Sequence, residues 1–200
     1  MHQLLLLTGL TGTGKTAVLR ELQLRGEQVL DLELLARHRG SAFGSLNQAP
    51  QPTQAEFELQ LRALLAAFQP TRPIYLEQKG ATLGHLRLPR WLPPPSAAIE
   101  LTAPLPLRVA RVLATYAHAT NQQFAEVLLK LAARLPGETL EQAREALLRA
   151  DRSAFIQALL PYYDAGSRYA PSPGGSAAVS TVCLAEAVGH VLALSKKLLI

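Results

Sequence analysis

The chain has 200 residues, 48% of them hydrophobic, with 20 Lys and Arg against 15 Asp and Glu for a formal net charge of +5. That length suits one domain with a substantial core, and the hydrophobic share excludes a disordered chain. A lone cysteine, Cys183, excludes an intramolecular disulfide and a Cys/His zinc site and fits a reducing cytoplasm.

In chain order, the apolar run at 4–7 predicts a first strand over 3–8. It is too short, and lacks the basic leader, for a secretion signal, and no run of about 20 apolar residues follows that would span a membrane. Residues 9–16 then read Gly-Leu-Thr-Gly-Thr-Gly-Lys-Thr, with a helix predicted over 15–25. Strand, glycine-rich loop and helix come in the order a phosphate-binding P-loop requires. Gly9, Gly12 and Gly14, with Thr13 between them, let backbone N–H groups turn inward around an anion. Lys15 supplies a cation, expected to be exposed, Thr16 a hydroxyl suited to Mg²⁺, and the helix N-terminus its dipole. The ligand indicated is a phosphorylated small molecule: a nucleotide or another diphosphate.

The second strand, predicted over 28–32, runs into Asp31 and Glu33. Carboxylates at the C-terminal end of a parallel strand lie on the ligand side, so both are candidates to hold substrate or orient a metal-bound water. The competing reading is a helix-capping Asp and a solvated Glu. His38-Arg39-Gly40-Ser41 and Phe43-Gly44 predict a mobile loop able to set a guanidinium on a phosphate or sugar. A helix over 53–68 opens on a capping box, Thr53 with Glu56, and buries Phe57, Leu61, Leu64, Leu65 and Phe68 at helical spacing. A strand over 73–77 ends in Glu77, the acid that in P-loop sites holds Mg²⁺ directly or through water; Thr16 and Glu77 are the candidate metal pair.

A fourth strand is predicted over 97–102, then helices over 104–119, 121–134, 138–149 and 151–164 with no strand between them, with Thr102 and Asp151 as start signals. This reads as a helical subdomain over about 104–170. Arg108 and Arg111 stand one turn apart, a candidate clamp on phosphate. Tyr162, Tyr163 and Asp164, followed by Arg168 and Tyr169, interleave aromatic and charged groups in a way that can stack a base and meet an RNA backbone. A Pro/Gly link at 171–176 leads to a strand over 177–182 and a helix over 184–198. Alternation of strands and helices predicts the α/β class: a single P-loop NTPase-like domain over 1–200, with a parallel sheet, flanking helices and the helical subdomain.

From about residue 5 to 170 the chain resembles the P-loop portion of the tRNA 2-selenouridine synthase family. The resemblance rests on residues 9–16 and on 31–44, Asp-Leu-Glu-Leu-Leu-Ala-Arg-His-Arg-Gly-Ser-Ala-Phe-Gly. It extends to 51–58, Gln-Pro-Thr-Gln-Ala-Glu-Phe-Glu, to Leu76-Glu77, Leu83-Gly84 and Leu88-Pro89, and to Tyr162-Tyr163-Asp164 with Arg168-Tyr169. It implies chemistry on a wobble 2-thiouridine of tRNA: geranylation of the sulfur from geranyl diphosphate, then displacement by selenium from selenophosphate. Lys15 and the loop amides would stabilise the departing diphosphate, with Lys15, Arg39 and Glu77 as the candidate catalytic set.

Two departures accompany the resemblance. Family members carry a rhodanese-like domain with an active-loop cysteine ahead of the P-loop, whereas here the loop starts at Gly9 and Cys183 is expected to be buried beside a core strand. The expectation is a separate rhodanese-like partner or loss of selenation. The family's usual Glu-Ser pair after the third strand is replaced by Lys79-Gly80, with Ala81 where arginine is common. Two other readings use the same residues: a small-molecule or nucleoside kinase, and a non-catalytic tRNA- or nucleotide-binding module.

Overall fold

The structure, a computed structural model, describes residues 3–166 and 177–199. In chain order its first half comprises β1 (Leu4–Thr8), α1 (Lys15–Leu24), β2 (Gln28–Leu30), α2 (Leu32–Ala36), α3 (Gln54–Ala67), β3 (Ile74–Glu77), β4 (Thr82–Leu83) and β5 (Leu86–Arg87). The second half comprises β6 (Ala97–Thr102), α4 (Leu105–Thr115), α5 (Asn121–Leu131), α6 (Gly137–Leu148), α7 (Arg152–Gly166), β7 (Ala177–Ser180) and α8 (Leu184–Leu198). Five strands form one parallel sheet in the order β2-β3-β1-β6-β7, the α/β architecture the sequence predicts.

Strand periodicity explains why that sheet is covered on both faces. Side chains alternate across a strand, and in β1 Leu5 and Leu7 join Val18, Leu19, Leu22, Val188 and Val191 of α1 and α8. Leu4 turns the other way, to Phe57 and Leu61 of α3 and to Leu83 and Leu86 of the small β4–β5 hairpin. The run of four leucines that opens β1 is what a twice-buried central position requires.

Four helices, α4 to α7, build a third core from Val109, Phe124, Val127, Leu128, Leu131, Phe155, Ile156, Leu159 and Leu160. Phe43 reaches this core from the loop after α2, with its ring 5.8 Å from Phe124, 6.0 Å from Phe155 and 5.9 Å from Tyr116. The loop between α2 and α3 is thereby tied to the helical section.

Several local expectations are corrected. The second strand stops at Leu30, because Asp31 accepts a 2.9 Å hydrogen bond from the Leu34 N–H and caps α2, an element the sequence reading lacks. Thr102 is a strand residue, its hydroxyl donating to the Val179 carbonyl at 3.4 Å, and α4 starts instead behind Pro104. The Thr53–Glu56 capping box is present, and Asp151 accepts from the Ala154 N–H at 2.9 Å. Among the described residues no helix is long and apolar enough to cross a membrane.

Candidate functional site

The loop between β1 and α1 takes positive φ at Gly9 (128°), Gly12 (80°) and Gly14 (93°), the conformations that require glycine. α4 crosses close over it, so that a Cβ on Gly12 would stand 2.6 Å from the Arg108 carbonyl oxygen. Arg108 Nε donates to the Thr11 carbonyl at 2.7 Å, and its Nη2 meets both oxygens of Asp164 at 2.6 and 2.8 Å. Arg111 donates to the Thr181 hydroxyl at 2.8 Å and to its carbonyl at 2.6 Å. Thr181, fully buried, donates in turn to the Thr13 carbonyl at 2.6 Å.

The two arginines therefore fasten the glycine loop, where the sequence reading set them free on one helix face to clamp phosphate. Asp164 serves as Arg108's counter-ion. Tyr162 and Tyr163, read as a base-stacking pair, pack instead against the helical core, their rings 5.4 Å apart and Tyr163 6.5 Å from Phe43. Arg168 and Tyr169 lie outside the described residues. Thr181 escaped the sequence reading: a Thr 168 residues beyond Thr13 carries no local signal of its contact.

Inside the loop, Lys15 is not the exposed cation expected. Its side chain is 11% exposed and folds back to donate to the Gly9 and Leu10 carbonyls at 2.8 and 2.9 Å. Burial lowers its pKa, and Lys79 and Arg108 push the same way, against the pull of Glu77. The Glu77 carboxylate accepts the Thr16 hydroxyl on Oε2 at 2.9 Å, while Oε1 lies 2.9 Å from Lys79 Nζ and 3.8 Å from Lys15 Nζ. Lys79 also pairs with Glu33 of α2. Burial alone would raise the Glu77 pKa, but Lys79 and Lys15 hold it low; burial would likewise depress Lys79, but Glu77 and Glu33 keep it high. The result is a buried, charge-balanced row: Lys15, Glu77, Lys79, Glu33.

Lys79 is the residue the sequence reading set aside as a departure, and it stands at the centre of the row. Its signal was only a lysine two residues past a strand's terminal acid. Glu33 joins the row from the first turn of α2, not from a strand end, whereas Asp31 is occupied as a cap. A resident Mg²⁺ on Thr16 and Glu77 does not fit this donor set. Both Glu77 oxygens are engaged, and two ammonium groups face Oε1.

The expected mobile loop after α2 is knitted into the fold. His38 is buried, its Nδ1 accepting the Gly40 N–H at 3.0 Å, and its ring fills the space a Cβ would take on Gly44, while Gln51 and His38 together fill that beside Gly84. Arg39 donates to the Leu46 carbonyl at 2.8 Å with its guanidinium over the Tyr116 ring, and Ser41 lies 3.2 Å from the Tyr116 hydroxyl. None of the three is presented to the glycine loop as a free side chain.

Burial, with His85 adding repulsion, holds the His38 pKa below its ordinary value. The unfolded chain then takes up the proton first as the pH falls, so this contribution to stability is full above about pH 6.5 and is lost below it. Urea unfolding from about pH 7.5 to about pH 5 should therefore show a steeper loss for the natural chain than for His38→Asn. Parallel losses would show that His38 does not titrate on unfolding.

Cys183, expected to be buried, is exposed at the start of α8. Burial gives no ground for calling it a poor nucleophile.

A family model for the tRNA 2-selenouridine synthase AAA domain matches residues 2–170. The tRNA 2-selenouridine synthase of Nitrosomonas eutropha is 39% identical over 125 residues, covering 60% of this chain and 32% of its own length. That of Shewanella loihica is 37% identical over 130 residues, 62% of this chain and 34% of its own. That of Marinobacter nauticus is 34% identical over 196 residues, 81% of this chain and 52% of its own. The chain thus spans about a third to a half of the length of these curated relatives.

Proposed function

Because the chain belongs to the family of the tRNA 2-selenouridine synthase AAA domain, we propose that it modifies tRNA in the cytoplasm, binding geranyl diphosphate at the loop over 9–16 and passing the geranyl group to a wobble 2-thiouridine. The carbon–oxygen bond to diphosphate breaks as the sulfur–carbon bond forms, and the proton on the thiouracil ring goes to solvent. The protein's task is to hold an anion whose charge grows as it leaves, which preorganised donors do best.

The observation that supports this reading is the glycine loop itself, shaped by three positive-φ glycines, fastened from outside by Arg108, Arg111 and Thr181, and carrying Lys15 folded over two of its carbonyls. An incoming phosphate replaces those carbonyls as the partner of the ammonium. A kinase would use the same loop, but it wants arginines free to meet a transferring phosphoryl group; Arg108 and Arg111 are committed to Thr11, Asp164 and Thr181. tRNA is the macromolecular substrate, and the chain's net charge of +5 suits it.

The test is mass spectrometry of tRNA digested after incubation with this chain. With 2-thiouridine-containing tRNA and geranyl diphosphate, S-geranylated uridine is expected. Adding selenophosphate to the same reaction asks whether these 200 residues also carry the selenium-transfer step. Selenouridine from this chain alone would assign that step to Cys183, its only thiol. Phosphorylation of a nucleoside by ATP would replace the proposal with a kinase, and tRNA binding without product would leave a binding module.

A further inference from the structure

The row beside the P-loop holds one more cation than a phosphate-binding loop needs. Lys79 Nζ lies 2.9 Å from Glu77 Oε1 and pairs with Glu33, and its side chain is 9% exposed. Gly40, at φ 74°, leaves room beside its stem: a Cβ there would stand 3.5 Å from Lys79 Cδ. The other Glu77 oxygen takes the Thr16 hydroxyl at 2.9 Å. A divalent ion settling between Thr16 and Glu77 would take the place of the Thr16 hydroxyl on Oε2, beside a carboxylate whose other oxygen already faces Lys79 at 2.9 Å and Lys15 at 3.8 Å. An ammonium can balance the same anions, with three donors on a flexible stem that can swing from carboxylate to phosphate.

We propose that Lys79 is a second phosphate-binding cation, held on the free oxygen of the carboxylate that in P-loop sites helps to hold a divalent metal, so that the diphosphate binds here without Mg²⁺. The proposal rests on the phosphate-binding reading of the loop over 9–16 and adds to it the charge that completes the site. On ligand binding Lys15 leaves the Gly9 and Leu10 carbonyls, Lys79 turns from Glu33, and Glu77 keeps both lysines oriented from behind. Glu33 is then the resting partner of Lys79, which gives a function to an acid that α2 carries into the site.

Calorimetric titration of the full chain with inorganic pyrophosphate, once in EDTA and once with excess Mg²⁺, tests this. The natural chain should bind in EDTA, and Mg²⁺ should not tighten binding. Lys79→Gln should bind roughly five- to tenfold more weakly in EDTA, and Lys79→Arg should recover most of the difference. Binding by the natural chain that appears only with Mg²⁺ would overturn the proposal, as would Lys79→Gln binding as tightly as the natural chain in EDTA. The comparison with and without Mg²⁺ needs no variant, so a poorly folded Lys79→Gln does not shield the proposal. Absence of pyrophosphate binding under both conditions is a different outcome: it would remove the phosphate-binding reading itself.

Discussion

Phe43→Ala is expected to lower the free energy of unfolding by about 3–5 kcal/mol, the range for truncating a buried phenylalanine. The side chain is 5% exposed and has four aromatic rings around it, those of Tyr116, Phe124, Phe155 and Tyr163, at 5.8 to 6.5 Å. Every other fully buried member of that core comes from residues 109–160. Phe43 alone in that set is supplied by the loop after α2, so its loss both opens a cavity and unties the helical section from the sheet. Two probes separate those effects. Trp91, the only tryptophan, packs in the cluster on the α3 face of the sheet, while just over half of the α-helical residues that circular dichroism reads lie in α4 to α7. The natural chain should lose both signals together in urea. In Phe43→Ala the helical signal should fall first, and Phe43→Leu should cost under about 1.5 kcal/mol. A cost below about 1 kcal/mol for the alanine variant would show that the cavity collapses and that the ring is not the tie.

The same residue shows where sequence reading reaches its limit. Phe43 sits among glycine, serine and alanine residues, with none of the periodicity that announces a core position, and the rings around it lie more than seventy residues away. Where burial repeats along a local element, the reading held: the leucine run of β1, the Phe57–Leu61–Leu65 stripe of α3 and the cap at Asp151 are encoded within a few residues of where they act. α2 was missed because Asp31 ends an apolar run that continues as Leu32, Leu34 and Leu35, and only the cap distinguishes a turn into helix from a longer strand.

The site divides in the same way. The glycine loop is contiguous and could be read outright. The groups that hold it are not: Arg108 with Asp164 is separated by 56 residues, Arg111 with Thr181 by 70. Charges close in sequence to nothing relevant were assigned to ligands because a spare arginine looks available, when the fold had already paired it. Lys79 shows the converse error. A basic residue at a position where the family pattern is acidic was discounted, yet the structure places it between two carboxylates that would otherwise repel each other across the site.

Lys15→Met should weaken binding of pyrophosphate, geranyl diphosphate and any nucleotide ligand by about ten- to a hundredfold, the effect of losing one charge-assisted contact of about 1.5–3 kcal/mol. Methionine is the informative replacement because Lys15 is largely buried: it retains the unbranched stem and removes only the ammonium. The folded state should tolerate that loss. Glu77 keeps Lys79 at 2.9 Å and the Thr16 hydroxyl at 2.9 Å, so its carboxylate is not stranded, and the Leu10 carbonyl keeps the Thr13 hydroxyl at 2.9 Å. Thermal unfolding should accordingly shift little while affinity collapses. The pairing of those two readouts is what identifies Lys15 as a ligand-binding group instead of a buried structural cation. Unchanged affinity would remove it from the site, and a large fall in melting temperature with affinity retained would assign it to holding the loop through the Gly9 and Leu10 carbonyls. Calorimetry on both variants, Lys15→Met and Lys79→Gln, also orders the two cations. Lys15 issues from the loop that wraps the phosphate and should carry the larger share, while Lys79 reaches the same anion from the end of β3.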